Sequence, residues 1–349
     1  MKPSVESNGR SATPGRDTDV ASFGFLLLPE FPLYALVPAI ESLRIANQNR
    51  GHRLFDWQLL SVSGSSVKSC SGISLSVDAT IDDVPWLPTV IVFSGNHPLQ
   101  HLSKHMLNWL RRLARHGSVV GGVDTGAFAL AEAGLLNGYQ ATLHWESIST
   151  FCERYTDVAV REQLFVVDRD RITCAGGNAT LDLMLAQITR HSGQGLAQIV
   201  ANAFVLQRTR QDKEPQRLEP EHLGDESHSP VIRVLQDMER NIETPLSAQH
   251  LAKRAGVSVR ALNRVLHAKI GESPMRYYRK IRLQAARNAL FYSDVPIQEI
   301  AASCGFASPE VFSRTFKEHF GLSPREFRRR FAIDELKRFR PELDQQLQT

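Results

Sequence analysis

Ala255-Gly-Val-Ser-Val-Arg-Ala-Leu-Asn-Arg-Val-Leu-His-Ala-Lys-Ile-Gly271, continuing Glu-Ser-Pro-Met-Arg-Tyr-Tyr278, returns as Cys304-Gly-Phe-Ala-Ser-Pro-Glu-Val-Phe-Ser-Arg-Thr-Phe-Lys-Glu-His-Phe-Gly321, continuing Leu-Ser-Pro-Arg-Glu-Phe-Arg328. The offset is 49 residues at Gly256/Gly305 and 50 from Leu262/Phe312 onward, so one residue has been inserted or lost. Arg264/Arg314, Ser273/Ser323 and Tyr277/Phe327 keep their chemistry across the repeat. Each copy reads as helix, glycine turn, helix. In the first, Ser247 is placed to cap a helix over 248–255. Gly256 closes that helix in the left-handed conformation that glycine adopts without cost. Ser258 caps the next, with Leu262, Val265 and Leu266 turned inward. In the second copy, 297–304, Gly305 and 308–319 follow the same scheme around Phe312 and Phe316. This is a helix-turn-helix, whose second helix enters the major groove of DNA. Segment 282–292, with Leu283, Ala286, Ala289 and Leu290 on one stripe, joins the copies as a helix. Such a connector is expected to hold two reading helices about one turn of DNA apart.

Charge points to the same half. The 349 residues carry a net charge of only +4, but residues 1–229 hold 20 Lys+Arg against 24 Asp+Glu, and residues 230–349 hold 21 against 13. The excess is concentrated on the repeat, where residues 245–330 carry 16 basic and 6 acidic side chains. A basic half beside an acidic one is expected to meet a polyanion. A hydrophobic content of 42% with 22% charged residues excludes wholesale disorder, collagen and a disulfide scaffold. No apolar run is long enough to span a membrane. Cys70, Cys152, Cys174 and Cys304 show no C-x-x-C spacing, which suits reduced thiols in a cytoplasmic protein with no metal and no cofactor.

Between Phe23 and Val205, apolar runs alternate with helical patterns. Strands are predicted over 23–28, 55–62 and 89–93, and a short apolar run at 118–120 leads into Gly121. Helices are predicted over 35–47, 101–116 and 127–133, and a hairpin over 164–174 turns at Asp168-Arg-Asp170. The fold class is therefore an α/β N-terminal domain, a flavodoxin-like parallel sheet with helices on both faces, plus an all-α C-terminal domain with two helix-turn-helix motifs. In such sheets ligands sit at the carboxyl ends of the strands. There Gly121-Gly-Val-Asp-Thr-Gly126 forms a sharp strand-to-helix elbow presenting Asp124, followed by Thr125. Gly95 and Asn96 offer backbone N–H groups, and His144 and Trp145 point at the same crevice.

Asp124-Thr-Gly-Ala-Phe-Ala-Leu-Ala-Glu-Ala-Gly-Leu-Leu-Asn-Gly138, Ala141-Thr-Leu-His-Trp145 and Cys174-Ala-Gly-Gly-Asn-Ala-Thr-Leu-Asp182 resemble the DJ-1/PfpI (class I glutamine amidotransferase-like) domain over roughly residues 22–205, closest to the version in regulators of the GlxA type. In enzymes of that superfamily the elbow residue is a cysteine nucleophile working with a histidine. Asp124 stands there in this chain, and the resemblance then implies a ligand pocket without catalysis. The repeat resembles the AraC-type DNA-binding domain over roughly residues 230–331. That resemblance assigns base reading to Arg260, Asn263 and Arg264 in the first copy, and to Pro309, Glu310, Ser313 and Arg314 in the second. Arg suits guanine, Asn adenine and Glu cytosine, while His267, Lys269 and Lys317 suit phosphate.

Alternatives stay open from sequence. Asp124 is either a pocket floor or a helix cap, and its glycines serve either a site or only a turn. His144 and Trp145 are equally at home in a core. Arg264 and Arg314 could pair within the fold. Glu30 and Glu41 either line the mouth or face solvent, and Arg325 and Arg328–Arg330 read as a solvated basic face. The combined expectation is an activator that binds double-stranded promoter DNA and responds to a small-molecule inducer. Association as a homodimer through the N-terminal domain and contact with RNA polymerase are expected too, and no membrane is involved. Asp124 with Trp145 suits an ammonium or quaternary ammonium group. Regulators resembling this one serve amino-acid or betaine-type catabolism, with ligands such as carnitine, glycine betaine or arginine. The rival classes are a PfpI-like hydrolase fused to DNA-binding helices and a ligand-free architectural protein. The expected boundaries are a disordered lead-in at 1–20, a sensing domain at 21–205, a polar, proline-containing linker at 206–229, a DNA-binding domain at 230–333 and a tail at 334–349.

Overall fold

The computed structural model describes residues 20–206, 208–216 and 230–329, the side chains of Pro230, Ile232 and Lys269 excepted. The lead-in, the tail and most of the expected linker lie outside the described residues. The strands are β1 (Ala21–Leu27), β2 (Phe55–Ser61), β3 (Ser66–Lys68), β4 (Ser74–Ser76), β5 (Ala79–Thr80), β6 (Thr89–Ser94), β7 (Val119–Asp124), β8 (Gln140–Ala141), β9 (Ala159–Val160), β10 (Phe165–Asp168) and β11 (Arg171–Cys174). Seven of them form one sheet in the order β10-β11-β7-β6-β1-β2-β5. Every neighbouring pair is parallel except the β10–β11 hairpin at one edge. The N-terminal helices are α1 (Leu33–Arg50), α2 (Lys104–Arg115), α3 (Ala127–Glu132), α4 (Ile148–Arg154), α5 (Ala179–Ser192) and α6 (Gln194–Ala203).

Strand periodicity assigns the faces. Phe23, Phe25 and Leu27 of β1, with Ile91 and Phe93 of β6, pack under α1, α5 and α6. Leu26, Val90 and Val92 point the other way, into the layer of α2, α3 and α4. Covering both faces explains why these strands read as continuous apolar runs.

The C-terminal helices are α7 (Pro230–Arg240), α8 (Ala248–Arg254), α9 (Val259–Ile270), α10 (Pro274–Tyr292), α11 (Ile297–Ser303) and α12 (Pro309–Phe320). The expected caps form: Ser247, Ser258 and Ser308 accept from the backbone N–H of His250, Ala261 and Val311. Gly256 and Gly305 take φ of 70° and 69° at the two helix-turn-helix corners. The connecting helix is longer than expected, beginning at Pro274 directly after the repeated Ser-Pro, where proline suits a first helical turn. It serves two cores at once. Tyr278 belongs to the first with Leu251, Leu262 and Leu266, whereas Leu283, Ala286 and Leu290 belong to the second with Phe312 and Phe316. Val265, expected inside, is 37% exposed, because Leu262 and Leu266 already fill the inward face of α9.

Part of the expected linker is docked. Arg210 pairs with the buried Asp182 at 2.7 Å, Asp212 accepts from Leu164 N–H at 3.0 Å, and the Gln216 side chain donates to Leu143 O at 2.9 Å. Polar composition suggested a free tether over this stretch, but burial of Asp182 demands a cationic partner, and Arg210 supplies it.

Arg282 clamps the second reader to the connecting helix. It donates to Cys304 O at 2.8 Å and Gly305 O at 2.6 Å, with its guanidinium 4.4 Å from the Phe306 ring centre. Arg282→Ala is expected to lower the unfolding free energy of the DNA-binding domain by about 2 kcal/mol. Urea titration followed by circular dichroism checks this.

Candidate functional site

The elbow is built by close packing. A Cβ on Gly126 would lie 2.2 Å from Val92 O, and one on Gly122 would lie 2.5 Å from the Gly126 carbonyl carbon. These two glycines are therefore required by space, with no demand for a left-handed backbone. Thr125 is fully buried and donates its hydroxyl to Gly95 O at 2.6 Å, so it ties the elbow to the end of β6. Asp124 is left on the corner at φ 61°. The N-cap of α3 is Gly126, and no side chain caps that helix. The helix-cap alternative for Asp124 therefore falls away.

Asp124 does not stand alone. Glu30, just past the end of β1, is 5% exposed with φ 62°, and His97, just past β6, has φ 46°. Three non-glycine residues in left-handed backbone thus gather at the carboxyl ends of three adjacent parallel strands, where open α/β sheets bind ligands. Gly95 is buried against Glu30, so closely that a Cβ there would lie 2.4 Å from Glu30 O. Asn96 is half-exposed on the rim. Gly176, after β11, crosses Asp124 from the other side, where a Cβ would lie 3.0 Å from Oδ2. His144 donates its backbone N–H to Asp124 O at 3.3 Å, and its ring lies 5.7 Å from that of Trp145. Trp145 and Glu146 line a cleft of about 830 Å³ between the two domains. Glu41 is instead exposed on α1 and paired with Arg44.

The electrostatics follow from this crowding. Burial, reinforced by the Glu146 carboxylate, pushes the Asp124 carboxyl up to about 8. Burial keeps the His144 imidazole neutral by lowering its pKa, despite the opposing pull of Glu146. Cys70 lies close enough to Asp124 and Glu30 to feel both, and burial is the main force raising its thiol. Cys174, fully buried beneath the site, is pushed up to about 12. An acidic crevice that disfavours its own negative charge favours a cation, which restores the ionised form. Sequence reasoning missed Glu146 and His97 and left Glu30 unassigned. Glu146 directly follows His144-Trp145, but nothing local shows that the short 3-10 turn Trp145–Ser147 carries it toward Asp124. Among the described residues, no group of three His, Cys, Asp or Glu side chains could hold a metal ion.

The second site is the outer face of the reading helices. Arg260, Asn263, Arg264 and His267 are exposed on α9, and Glu310, Arg314 and Lys317 are exposed on α12. Pro309 and Ser313 are half-buried at the same face. Asn263 donates to Val259 O at 3.0 Å within its own helix. The Ser308 side chain holds Glu310 below the usual carboxylate range, so it is ionised. Arg328 departs from the expected solvated run: it is half-buried and donates to Val295 O at 2.6 Å. Arg325 and Arg329 are exposed, and the Lys269 side chain and Arg330 lie outside the described residues. No described helix is long and apolar enough to cross a membrane.

Fold and sites together define a two-domain regulator: an α/β domain joined to a double helix-turn-helix. Residues 25–190 match the DJ-1/PfpI family and residues 251–330 match a helix-turn-helix domain. The HTH-type transcriptional regulator CdhR of Pseudomonas aeruginosa is 39% identical over 86% of this chain and 90% of its own length. The HTH-type transcriptional regulator GlxA of Rhizobium meliloti is 36% identical over 89% of this chain and 97% of its own. A crystal structure of an AraC family transcriptional regulator from Pseudomonas putida is 29% identical, covering 53% of this chain and 99% of that one, with a TM-score of 0.48. The chain belongs to the AraC-type transcription regulators with an N-terminal DJ-1/PfpI domain.

The Asp124 carboxyl generates a pH prediction. Its pKa is about 8 in the fold and ~3.9 in the unfolded chain, so the folded state holds the extra proton. Ligand-free stability should therefore fall as pH rises from about 4 and level off above about 8. Differential scanning calorimetry across that window should show a steeper fall in melting temperature for the wild type than for Asp124→Asn.

Proposed function

We propose that this chain is a transcription activator whose N-terminal domain binds a small cationic metabolite, of the amino-acid-derived or quaternary-ammonium kind, without chemically altering it. The observation that carries this reading is the convergence of Glu30, Asp124 and Glu146 on one strand-end crevice. A bound cation would lower the Asp124 pKa and release a proton, gaining the electrostatic energy that burial withholds from the empty site. Gly95, Asn96 and His144 shape the rim, and Trp145 offers an aromatic face at the cleft. Thr125 positions the elbow. Catalysis is disfavoured because the elbow carries a carboxyl and the nearby thiols of Cys70 and Cys174 are raised, the reverse of an activated thiolate.

The C-terminal domain reads promoter DNA through α9 and α12. Arg264 and Arg314 occupy equivalent places in the two copies and are exposed, with no hydrogen-bond partner among the described residues. They are free to grip base edges, with Arg260, Asn263, Glu310, Ser313 and Pro309 completing the two faces. His267 and Lys317 contact phosphate. Homodimerisation through the N-terminal domain would pair two such units on neighbouring half-sites, in reach of RNA polymerase.

Calorimetry with carnitine, glycine betaine and arginine tests the sensor. One of these cations should bind, with affinity rising up to about tenfold per pH unit below about pH 8 and with proton release. Asp124→Asn should lose that response and keep operator binding; unchanged affinity in the variant would refute the site. Turnover of an amide or ester would instead favour a hydrolase.

For the reader, Arg264→Ala and Arg314→Ala should each relax base preference by roughly 1–3 kcal/mol. Lys317→Ala should weaken all sequences alike and reduce the salt slope by about one. Binding to a panel of single-base operator variants at several salt concentrations separates the two roles.

A further inference from the structure

The last turn of α10 leaves the DNA-binding domain and ends on the sensor's crevice. Phe291 lies against His97, with ring centres 4.8 Å apart. Tyr292 donates its phenolic hydroxyl to the Glu146 carboxylate at 3.2 Å. Burial, together with Glu146 and then Asp124, holds the Tyr292 phenol well above its ordinary range, so it stays a donor. His97, Leu99, Phe291, Tyr292, Asp294 and Arg328 leave a gap of only about 50 Å³ between the domains at this contact. The residues met on the sensor side belong to the site already described: one of its three left-handed corners and the carboxylate that acts most strongly on Asp124.

We propose that the Phe291-Tyr292 end of α10 is the sensor's internal partner, seated at the entrance to the Asp124 crevice, and that a cation engaging Glu146 displaces it and releases the DNA-binding domain. This rests on the crevice being the ligand site. The released body is rigid, because α10 carries core residues of both helix-turn-helix units and Arg282 clamps the second. Moving its end therefore moves both reading helices together. A ligand shifts a two-state equilibrium only through its different affinity for the two states, and an entrance filled by Tyr292 creates such a difference. Glu146 exchanges one partner for another: the phenol O–H when the domains are docked, the cation when they part. No covalent chemistry is needed.

The conservative variant Tyr292→Phe, in the full-length chain, keeps the ring and removes the hydroxyl. Hydrogen–deuterium exchange without ligand should be faster over residues 97–100, 145–151 and 289–295 than in the wild type. Calorimetry should show the same cation binding roughly fivefold tighter, the effect of losing one competing hydrogen bond. In wild type, saturating cation should raise exchange over 289–295 toward the level of the variant. Equal cation affinities in the two proteins would overturn the competition and leave the ligand site standing. Unchanged exchange in the variant would overturn the docking contact. Faster exchange in the variant, with no cation bound by either protein, would establish the contact and overturn both the ligand reading and the displacement.

Discussion

The tight turn at Asp124 is the constraint on which the rest of the α/β domain depends. Val92 O and the Gly126 backbone approach so closely that no Cβ fits at Gly126 or Gly122, and the chain reverses from β7 into α3 within three residues. That reversal places a carboxyl in left-handed backbone at the carboxyl end of an interior strand, where Thr125 anchors it to the end of β6. A thiol on such a corner is a nucleophile. A carboxyl is a charge that burial resists, and it gains from a cation that neutralises it. The neighbouring corners at Glu30 and His97 hold two further side chains in costly conformations at the same place, as expected where function outweighs local stability.

The reader half depends on one helix. α10 supplies Tyr278 to the first core and Leu283, Ala286 and Leu290 to the second, so neither helix-turn-helix is completed without it. A helix of 19 residues spans about 28 Å at 1.5 Å per residue, a stiff rod between two small cores. Gly305 adds a second contact, its backbone so near Ile242 O that a Cβ would lie 2.6 Å away. The spacing of the two recognition helices is therefore a property of the domain as a whole.

The fold was largely legible in the chain because its signals are local. Apolar runs, capping serines and corner glycines each act over a few residues, and the repeat supplied the same evidence twice. Errors arose where a distant partner decides the outcome. The stretch 208–216 reads as tether by composition, yet Asp182, 28 residues before Arg210, holds it down. Arg328 reads as part of a solvated basic run, yet Val295 O, 33 residues away, takes it partly inside. Val265 fits an apolar stripe, but the inward face of α9 was already full.

By itself the sequence determined the two-domain architecture, the basic character of the repeat, the elbow and the outward face of each recognition helix. All of these rest on periodicity, charge and turn chemistry within short windows. Tertiary structure alone decided that Glu30 and Glu146 join Asp124 while Glu41 does not, and that the end of α10 meets Glu146 and His97. These side chains come from strand ends, a short 3-10 turn and the other domain. Only tertiary packing brings them together, and burial of Asp124 beside the Glu146 carboxylate raises its pKa.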